Sequence, residues 1–373
     1  MRYYIIAGEA SGDLHGSNLM KGLKEKDQQA EFRFFGGDLM ESEGGNLVRH
    51  YRNMAFMGFF DVLANLRTIA RNLAFCKKDI LDWSPDVVIL IDYPGFNLKI
   101  AEFAHKNRIK VFYYISPKVW AWRKSRVKKL KIFVDRLFVI FPFEVEFFRR
   151  HGIGVDYYGN PLLDAIGQFR RNAGGSTEGV AYPDDKRPLV ALLAGSRISE
   201  IKHCLPEMVK AAAYFPSYRF VVAAVNTVDE KLYREILAGS EIQLVKNQTY
   251  SLLEHSSAAV VTSGTATLET ALFNVPQVVV YKTGSLTYHL GKLFVKVRFF
   301  SLVNIIAGKE VVKELLQQNL AERIREELEL ILGNTEYRNR MLSDYQNISS
   351  SLGEQGVSQK IASGMIDLLK QER

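Results

Sequence analysis

The sequence predicts an α/β protein made of two doubly wound domains, and three observations carry the prediction. Short runs rich in Val, Ile and Leu alternate with helical patterns along most of the chain. Several of these runs end in glycine- or hydroxyl-rich turns that open directly into a helix. The alternation breaks once, over residues 166–187, where Gly167, Gly174, Gly175, Ser176 and Pro183 gather with several charges, and then restarts. The expected organisation is a domain over 1–165, a linker over 166–187, a second domain over 188–335, and terminal helices over 336–373.

Taken in order, residues 3–7 form the first strand, ending in Gly8-Glu9-Ala10-Ser11-Gly12-Asp13, and Leu19 and Leu23, four apart, mark a helix. Residues 32–35 repeat the pattern. Residues 86–91 are almost wholly apolar, as suits a parallel strand buried on both faces, and run into Asp92-Tyr93-Pro94-Gly95-Phe96-Asn97. Two further strands of this kind are expected at 111–115 and 137–141. In the second half the strands are 189–194, 220–225, 242–245, 258–261 and 278–281. From about residue 312 the pattern is helical only, with Leu320, Ile324, Leu328 and Ile331 spaced by threes and fours.

Composition narrows the classes. With 373 residues, 47% hydrophobic and 24% charged, the chain has the make-up of a folded protein rather than a disordered one. A net charge of +8 suggests an anionic partner: nucleic acid, an acidic membrane or a phosphorylated substrate. Two distant cysteines, Cys76 and Cys204, suggest neither a disulfide framework nor a metal motif. No signal peptide is expected, and no apolar run approaches the roughly 20 residues that span a bilayer. A cytoplasmic protein that can still lie on a membrane is the expectation.

In doubly wound sheets, ligands bind beyond the carboxyl ends of the strands, so the unusual loops there are the candidates. Thr262-Ser263-Gly264-Thr265 follows a strand and opens a helix. It is either an ordinary capped helix or a phosphate site, in which free N–H groups face an anion and Gly264 allows close approach. Glu269, in the first or second turn, is within reach of a ribose hydroxyl. Gly195-Ser196-Arg197 ends another strand, and a fixed guanidinium suits a diphosphate better than a lysine does. Two such loops in one domain point to a nucleoside diphosphate. Asp92, at the end of a very apolar strand, is either a turn cap or a partly desolvated general base. Glu9, Asp13 and His15 add titratable groups at the neighbouring strand end.

Dehydrogenase, P-loop, zincin and serine-hydrolase motifs are absent, and no D-x-D is present to hold a divalent metal. Residues 116–123, Ser-Pro-Lys-Val-Trp-Ala-Trp-Arg, lead into a basic run through Lys131 that reads as a solvated helix face or as a surface for nucleic acid or anionic headgroups. The stretch 54–70 includes Met57, Phe60, Val62, Leu63 and Leu66 and has only two charges. It is either core or an interfacial, acyl-binding segment. Together with 283–306, which mixes Leu and Phe with Lys and Arg, it favours an amphiphilic, anionic substrate.

These loops, with Asn304-x-x-Ala-Gly-x-Glu-x-Val-x-Glu-Leu-Leu316, resemble as a set, and in order over nearly the whole chain, the lipid-A-disaccharide synthases. The resemblance implies a GT-B fold of two Rossmann-like domains and an inverting glycosyltransferase needing neither metal nor cofactor. The implied reaction moves 2,3-diacylglucosamine from its UDP derivative to 2,3-diacylglucosamine 1-phosphate (lipid X), at the cytoplasmic face of the inner membrane. By resemblance, Asp92 is the candidate base and Glu9 a second acidic residue important for activity. Gly195, Ser196, Arg197, Ser263, Gly264, Thr265, Glu269 and Asn304 hold UDP, and Met57, Phe60, Val62, Leu63 and Leu66 meet membrane or acyl chains. The terminal helices return to the first domain in many proteins of this fold. Many members carry an aspartate where this chain has Gly95, and Val303 replaces a common proline. The competing readings are another nucleotide-sugar enzyme of the same fold, such as a UDP-N-acetylglucosamine 2-epimerase, or a non-catalytic binding protein.

Overall fold

The computed structural model describes residues 1–54, 65–117, 124–172, 185–284 and 298–371. The chain divides into two compact units: residues 1–164 with 352–373, and residues 165–351.

The first unit is built on a seven-stranded parallel sheet in the order β3-β2-β1-β4-β5-β6-β7. Its strands are β1 (Arg2–Ala7), β2 (Glu31–Gly36), β3 (Asn46–His50), β4 (Val87–Ile91), β5 (Lys110–Tyr114), β6 (Arg136–Val139) and β7 (Val155–Tyr157). Helices α1 (Ala10–Lys26), α2 (Asp38–Ser42), α3 (Leu66–Trp83), α4 (Pro94–Lys106), α5 (Lys124–Phe133) and α6 (Pro142–Arg150) connect or follow them, and α7 (Leu162–Asn172) begins in this unit and continues in the second from Ala165. All five residues of β4 are fully buried. Each such aliphatic side chain contributes roughly 1.5–3 kcal/mol of burial, which explains why the central strands read as unbroken apolar runs.

The second unit has a six-stranded parallel sheet in the order β10-β9-β8-β11-β12-β13. Here the strands are β8 (Leu189–Leu193), β9 (Arg219–Ala224), β10 (Gln243–Lys246), β11 (Ser256–Thr262), β12 (Gln277–Tyr281) and β13 (Glu314–Leu316). The helices are α8 (Ile198–Ala212), α9 (Glu230–Leu237), α10 (Thr249–Glu254), α11 (Thr265–Leu272), α12 (Leu302–Ala307), α13 (Leu320–Gly333) and α14 (Thr335–Ser351). The last helix, α15 (Val357–Gln371), packs on α1 in the first unit. Its start is capped from a distance: Asp164 accepts the backbone N–H groups of Gly356, Val357 and Ser358 at 2.6–3.1 Å.

Three expectations need correction. Residues 166–172 are not linker but the second half of α7, with Ile166 buried and Phe169 packed edge-on to Tyr250 and Phe273. Residues 336–351 belong to the second unit, where Tyr345 and Met341 meet Gln277. The region beyond 312 is not helical only, since β13 pairs with β12.

Candidate functional site

In each sheet the strand order reverses at one place, between β1 and β4 in the first unit and between β8 and β11 in the second. At such a reversal successive connections leave in opposite directions, and the sheet opens a crevice beyond its carboxyl edge. The candidate loops lie at these two points.

In the first unit Ala7 pairs with Ile91, so Glu9 and Asp92 follow in adjacent loops. Glu9 is the N-cap of α1. Asp92 and Tyr93 both adopt left-handed backbone, with φ of 42° and 45°. That conformation costs roughly 1–2 kcal/mol per non-glycine residue, and here it is over-determined by the surroundings. The Asp92 N–H donates to the Tyr114 carbonyl at 3.1 Å, and the Asp92 carbonyl accepts from Asn97 Nδ2 at 2.9 Å and from the Tyr113 hydroxyl at 2.5 Å. Asn97 is fully buried and donates to the Ile91 carbonyl as well. Both sides of the Asp92 peptide are thus pinned, and its half-buried carboxylate is carried on a rigid mount. The Tyr93 ring lies so close over Gly8 that a Cβ there would sit 2.3–2.7 Å from ring carbons. Burial, and then the negative charge of Glu9, push the Tyr93 phenol up to about 12. Burial and the Asp92 charge likewise raise Tyr113 well above the ordinary tyrosine value.

The other two acid–base candidates of this loop are structural. Asp13 is buried and takes the N–H groups of Gly37, Leu39 and Met40 at 2.7–3.1 Å, capping α2. His15 is buried, and desolvation brings its imidazole down to about 4, against a smaller opposing pull from Asp164.

In the second unit Leu193 pairs with Val261, which again sets two loops side by side. Gly195 has φ +104°, and a Cβ on it would meet Glu200 Oε2 at 2.6 Å, so only glycine fits. Glu200 organises this turn, accepting the Ser196 N–H at 3.1 Å and Arg197 Nη1 at 2.9 Å. The Arg197 side chain is 55% exposed. In the companion loop Ser263 Oγ donates to the Phe300 carbonyl at 2.9 Å. Gly264 is the extended N-cap of α11, and a Cβ added there would meet none of the described residues within 4 Å. Thr265 is exposed at the first position of the helix, whose opening turn leaves N–H groups without intrahelical partners. Glu269 Oε1 accepts the Tyr250 hydroxyl at 2.7 Å, and burial raises its carboxyl despite that bond.

The sequence model of the lipid-A-disaccharide synthetase family matches residues 3–363. The lipid-A-disaccharide synthase of Syntrophus aciditrophicus (strain SB) is 39% identical over 374 residues, covering 98% of this chain and 97% of that protein. The chain belongs to the lipid-A-disaccharide synthase family. Members are glycosyltransferases of lipid A biosynthesis. Among solved structures, the UDP-GlcNAc 2-epimerase of Neisseria meningitidis bound to UDP-GlcNAc superposes with a TM-score of 0.71 at 15% identity, covering 98% of this chain and 100% of that one. The calicheamicin glycosyltransferase CalG4 gives 0.56 at 14% identity, covering 99% and 98%. These likenesses establish the GT-B class of two Rossmann-like units.

Within the family's motifs one side chain does something other than its sequence suggested. Asn304 is fully buried: Nδ2 donates to the Val312 carbonyl and to Glu314 Oε1, both at 2.9 Å, and Oδ1 accepts from Val311 and Val312 at 2.7 and 3.0 Å. These four bonds use the full hydrogen-bonding capacity of an asparagine side chain, which makes it a strut of this segment. Its partner Glu314 also holds Ser301 Oγ at 2.7 Å and the Phe300 N–H at 3.0 Å, and Phe300 receives Ser263. The motif therefore braces the Ser263 loop from behind. Glu314, Tyr250, Tyr93 and Tyr113 were not singled out by sequence. Glu314 alone carried a signal, as the second glutamate of the Asn304 motif.

Met57, Phe60, Val62 and Leu63 lie outside the described residues, as do 118–123 of the Trp-containing loop. Leu66 opens α3 and is 52% exposed, and Phe75 and Leu81 of the same helix are exposed too. In α5, Val127 and Leu130 face the core while Lys128, Lys129 and Lys131 are exposed, the arrangement of a solvated helix face. No cluster of metal-binding side chains occurs among the described residues, and no described helix is long and apolar enough to cross a membrane.

Proposed function

We propose that the protein transfers 2,3-diacylglucosamine from its UDP derivative to the 6-hydroxyl of 2,3-diacylglucosamine 1-phosphate, with inversion and without a metal ion. The observation that supports this reading is the contrast between the two strand-order reversals: two carboxylates, Glu9 and Asp92, follow the strands at one, and an exposed guanidinium and a helix start stand at the other. In a single displacement Asp92 removes the proton of the acceptor hydroxyl as its oxygen bonds to the anomeric carbon. The bond from that carbon to the diphosphate breaks at the same time, and the electron pair leaves with UDP. Arg197 and the start of α11 stabilise the charge that develops on the departing diphosphate, the task a preorganised cation and helix N-terminus perform best. Glu269, with Oε1 committed to Tyr250, keeps Oε2 for a ribose hydroxyl. Glu9, beside Asp92, acts as the second acidic group of the acceptor side.

An acceptor and donor with four acyl chains between them belong at a lipid surface. Such substrates favour peripheral attachment at the cytoplasmic face of the inner membrane, and Leu66, exposed where α3 begins, is the described apolar residue that supports it. The deciding assay incubates the protein with UDP-diacylglucosamine and measures UDP release with and without lipid X, in metal-free buffer containing EDTA. Release that depends on lipid X is expected. Release independent of lipid X, or none, overturns the reading, and epimerisation of UDP-N-acetylglucosamine would replace it with the other nucleotide-sugar chemistry.

A further inference from the structure

Tyr93 stands next to Asp92 in the chain, and three separate contacts hold it. Its ring occupies the space over Gly8 that any side chain at that position would fill. It packs against Phe96 with ring centroids 5.7 Å apart and planes inclined by 30°. Its hydroxyl donates to the carbonyl of Met54 at 2.8 Å, and Met54 is itself buried in the core of the first unit. These contacts come from three different parts of the fold: the loop after β1, the first turn of α4, and the segment after β3. Left-handed backbone at two successive non-glycine residues does not persist unless the surroundings enforce it. Hydrogen bonds hold the Asp92 peptide from the β5 side, at Tyr113 and Tyr114, and the Tyr93 side chain is the clamp from the β1 side.

We infer that Tyr93 is a positioning residue of the transferase, a clamp that fixes the Asp92 carboxylate and joins the Glu9 and Asp92 loops into one rigid body. The inference rests on the reading of Asp92 as the base. The hydroxyl stays protonated at working pH, so it serves as a permanent donor to Met54 and takes no proton from the acceptor. Its absence from the reacting atoms is what separates it from Asp92.

The test is a double-mutant cycle on the full chain, with turnover, donor affinity and thermal midpoint measured for each variant. Tyr93→Phe keeps the ring and removes one hydrogen bond, and kcat is expected to fall about fivefold. Tyr93→Leu removes the ring contacts as well, and a fall of about 100-fold is expected, because a misplaced reacting group costs that much. UDP-sugar affinity should be unchanged in both. In an Asp92→Asn background Tyr93→Leu should cost nothing further, because a clamp acts only through what it holds. Gly8→Ala, which evicts the ring, should reproduce the Tyr93→Leu defect. Wild-type kcat in Tyr93→Leu, or a loss of equal size in the Asp92→Asn background, overturns the inference. So does a loss that merely tracks a lower midpoint and weaker donor binding, which would make the residue structural. If Asp92→Asn alone retains full turnover, it is the reading of Asp92 that falls. Amide exchange at Asp92 then still decides on the clamp, since exchange unchanged by Tyr93→Leu overturns it.

Discussion

The crevice at β1 and β4 and the crevice at β8 and β11 occupy the same place in two sheets of the same topology, yet they are furnished oppositely. The first is acidic and backed by a dry interior. Glu9 and Asp92 stand beside Tyr93 and Tyr113, whose titrations burial displaces upward, and α1 carries the buried His15, displaced downward. Its backbone is strained and its peptides are pinned. The second presents an exposed guanidinium and an open helix start. Arg197 and Thr265 are exposed, a Cβ on Gly264 would meet none of the described residues within 4 Å, and the carboxylates Glu200 and Glu314 brace the turns from behind. Topology therefore decides where a ligand can sit, and the loop residues decide which one. A base must hold one orientation against a reacting hydroxyl, which rewards rigidity and desolvation. A diphosphate arrives with its own charge, and exposed donors at a helix start receive it without prior burial.

The largest expected effect is on the acidic crevice. Asp92→Asn keeps the shape and the pinned backbone but removes the proton acceptor, and turnover should fall by about 10²–10⁴. Equilibrium binding of the UDP-sugar should stay within about twofold of wild type. Steady-state rates with isothermal titration on the same preparation check both. If binding falls together with rate, the division between the crevices is wrong.

Next in size is the dry backing of that crevice, which pH can probe. The folded-state pKa of His15 is about 4, below the unfolded value near 6.5. As pH falls through 6.5 the unfolded chain takes up a proton that the folded chain refuses, so the unfolded state gains. The stability tied to neutral His15 is complete above pH 6.5 and is lost progressively down to about pH 4. It amounts to about 3 kcal/mol. In His15→Gln this contribution is absent. The difference in thermal midpoint between wild type and variant should therefore move against the wild type as pH is lowered through that window. A constant difference would mean that the histidine is hydrated in the folded protein and the backing is not dry.

The two crevices also differ in how far the sequence disclosed them. Central strands such as β4 and β8, buried on both faces, left unbroken apolar runs that marked each loop at its carboxyl end. Sequence missed β3, β7 and β13, and all three are sheet edges. An edge strand is covered on one side and only half-buried, and β7 and β13 are three residues long, so neither a continuous run nor an alternation has room to develop. The donor loops were legible because glycine and hydroxyl residues cluster locally. Asp92 was legible as an acid at the end of a greasy strand. Its supports were not, because Tyr113 lies on the neighbouring strand and Gly8 in the loop after another, and their meeting depends on register. At Asn304 the sequence disclosed the motif but not the bracing role that four internal hydrogen bonds give its side chain.

Arg197 tests the second crevice. Charge-assisted bonds of a guanidinium to a diphosphate contribute roughly 1.5–3 kcal/mol, so Arg197→Ala should weaken UDP binding by about 10- to 100-fold. Arg197→Lys keeps the charge but loses the fork geometry, and should recover only part of that loss. Titration with UDP alone measures both. Full recovery by lysine would mean that the site reads charge and not geometry.

Gly264 carries the smallest effect and draws the sharpest line between glycines. At Gly195 an alanine is excluded twice, by a φ of +104° and by Glu200 Oε2 at 2.6 Å, so Gly195→Ala should lower the thermal midpoint whether or not ligand is present. At Gly264 neither exclusion holds, since the backbone is extended and the added methyl would touch none of the described residues. No described residue accounts for a glycine there, and an anion that approaches the start of α11 to hydrogen-bonding distance would. Gly264→Ala should therefore leave the midpoint of the free protein within about 2 °C of wild type while weakening UDP several-fold, on the order of 1 kcal/mol. Calorimetry of the free protein and titration with UDP separate the two quantities. Unaltered UDP affinity would remove the diphosphate from this helix start and leave the proposed contact to Arg197.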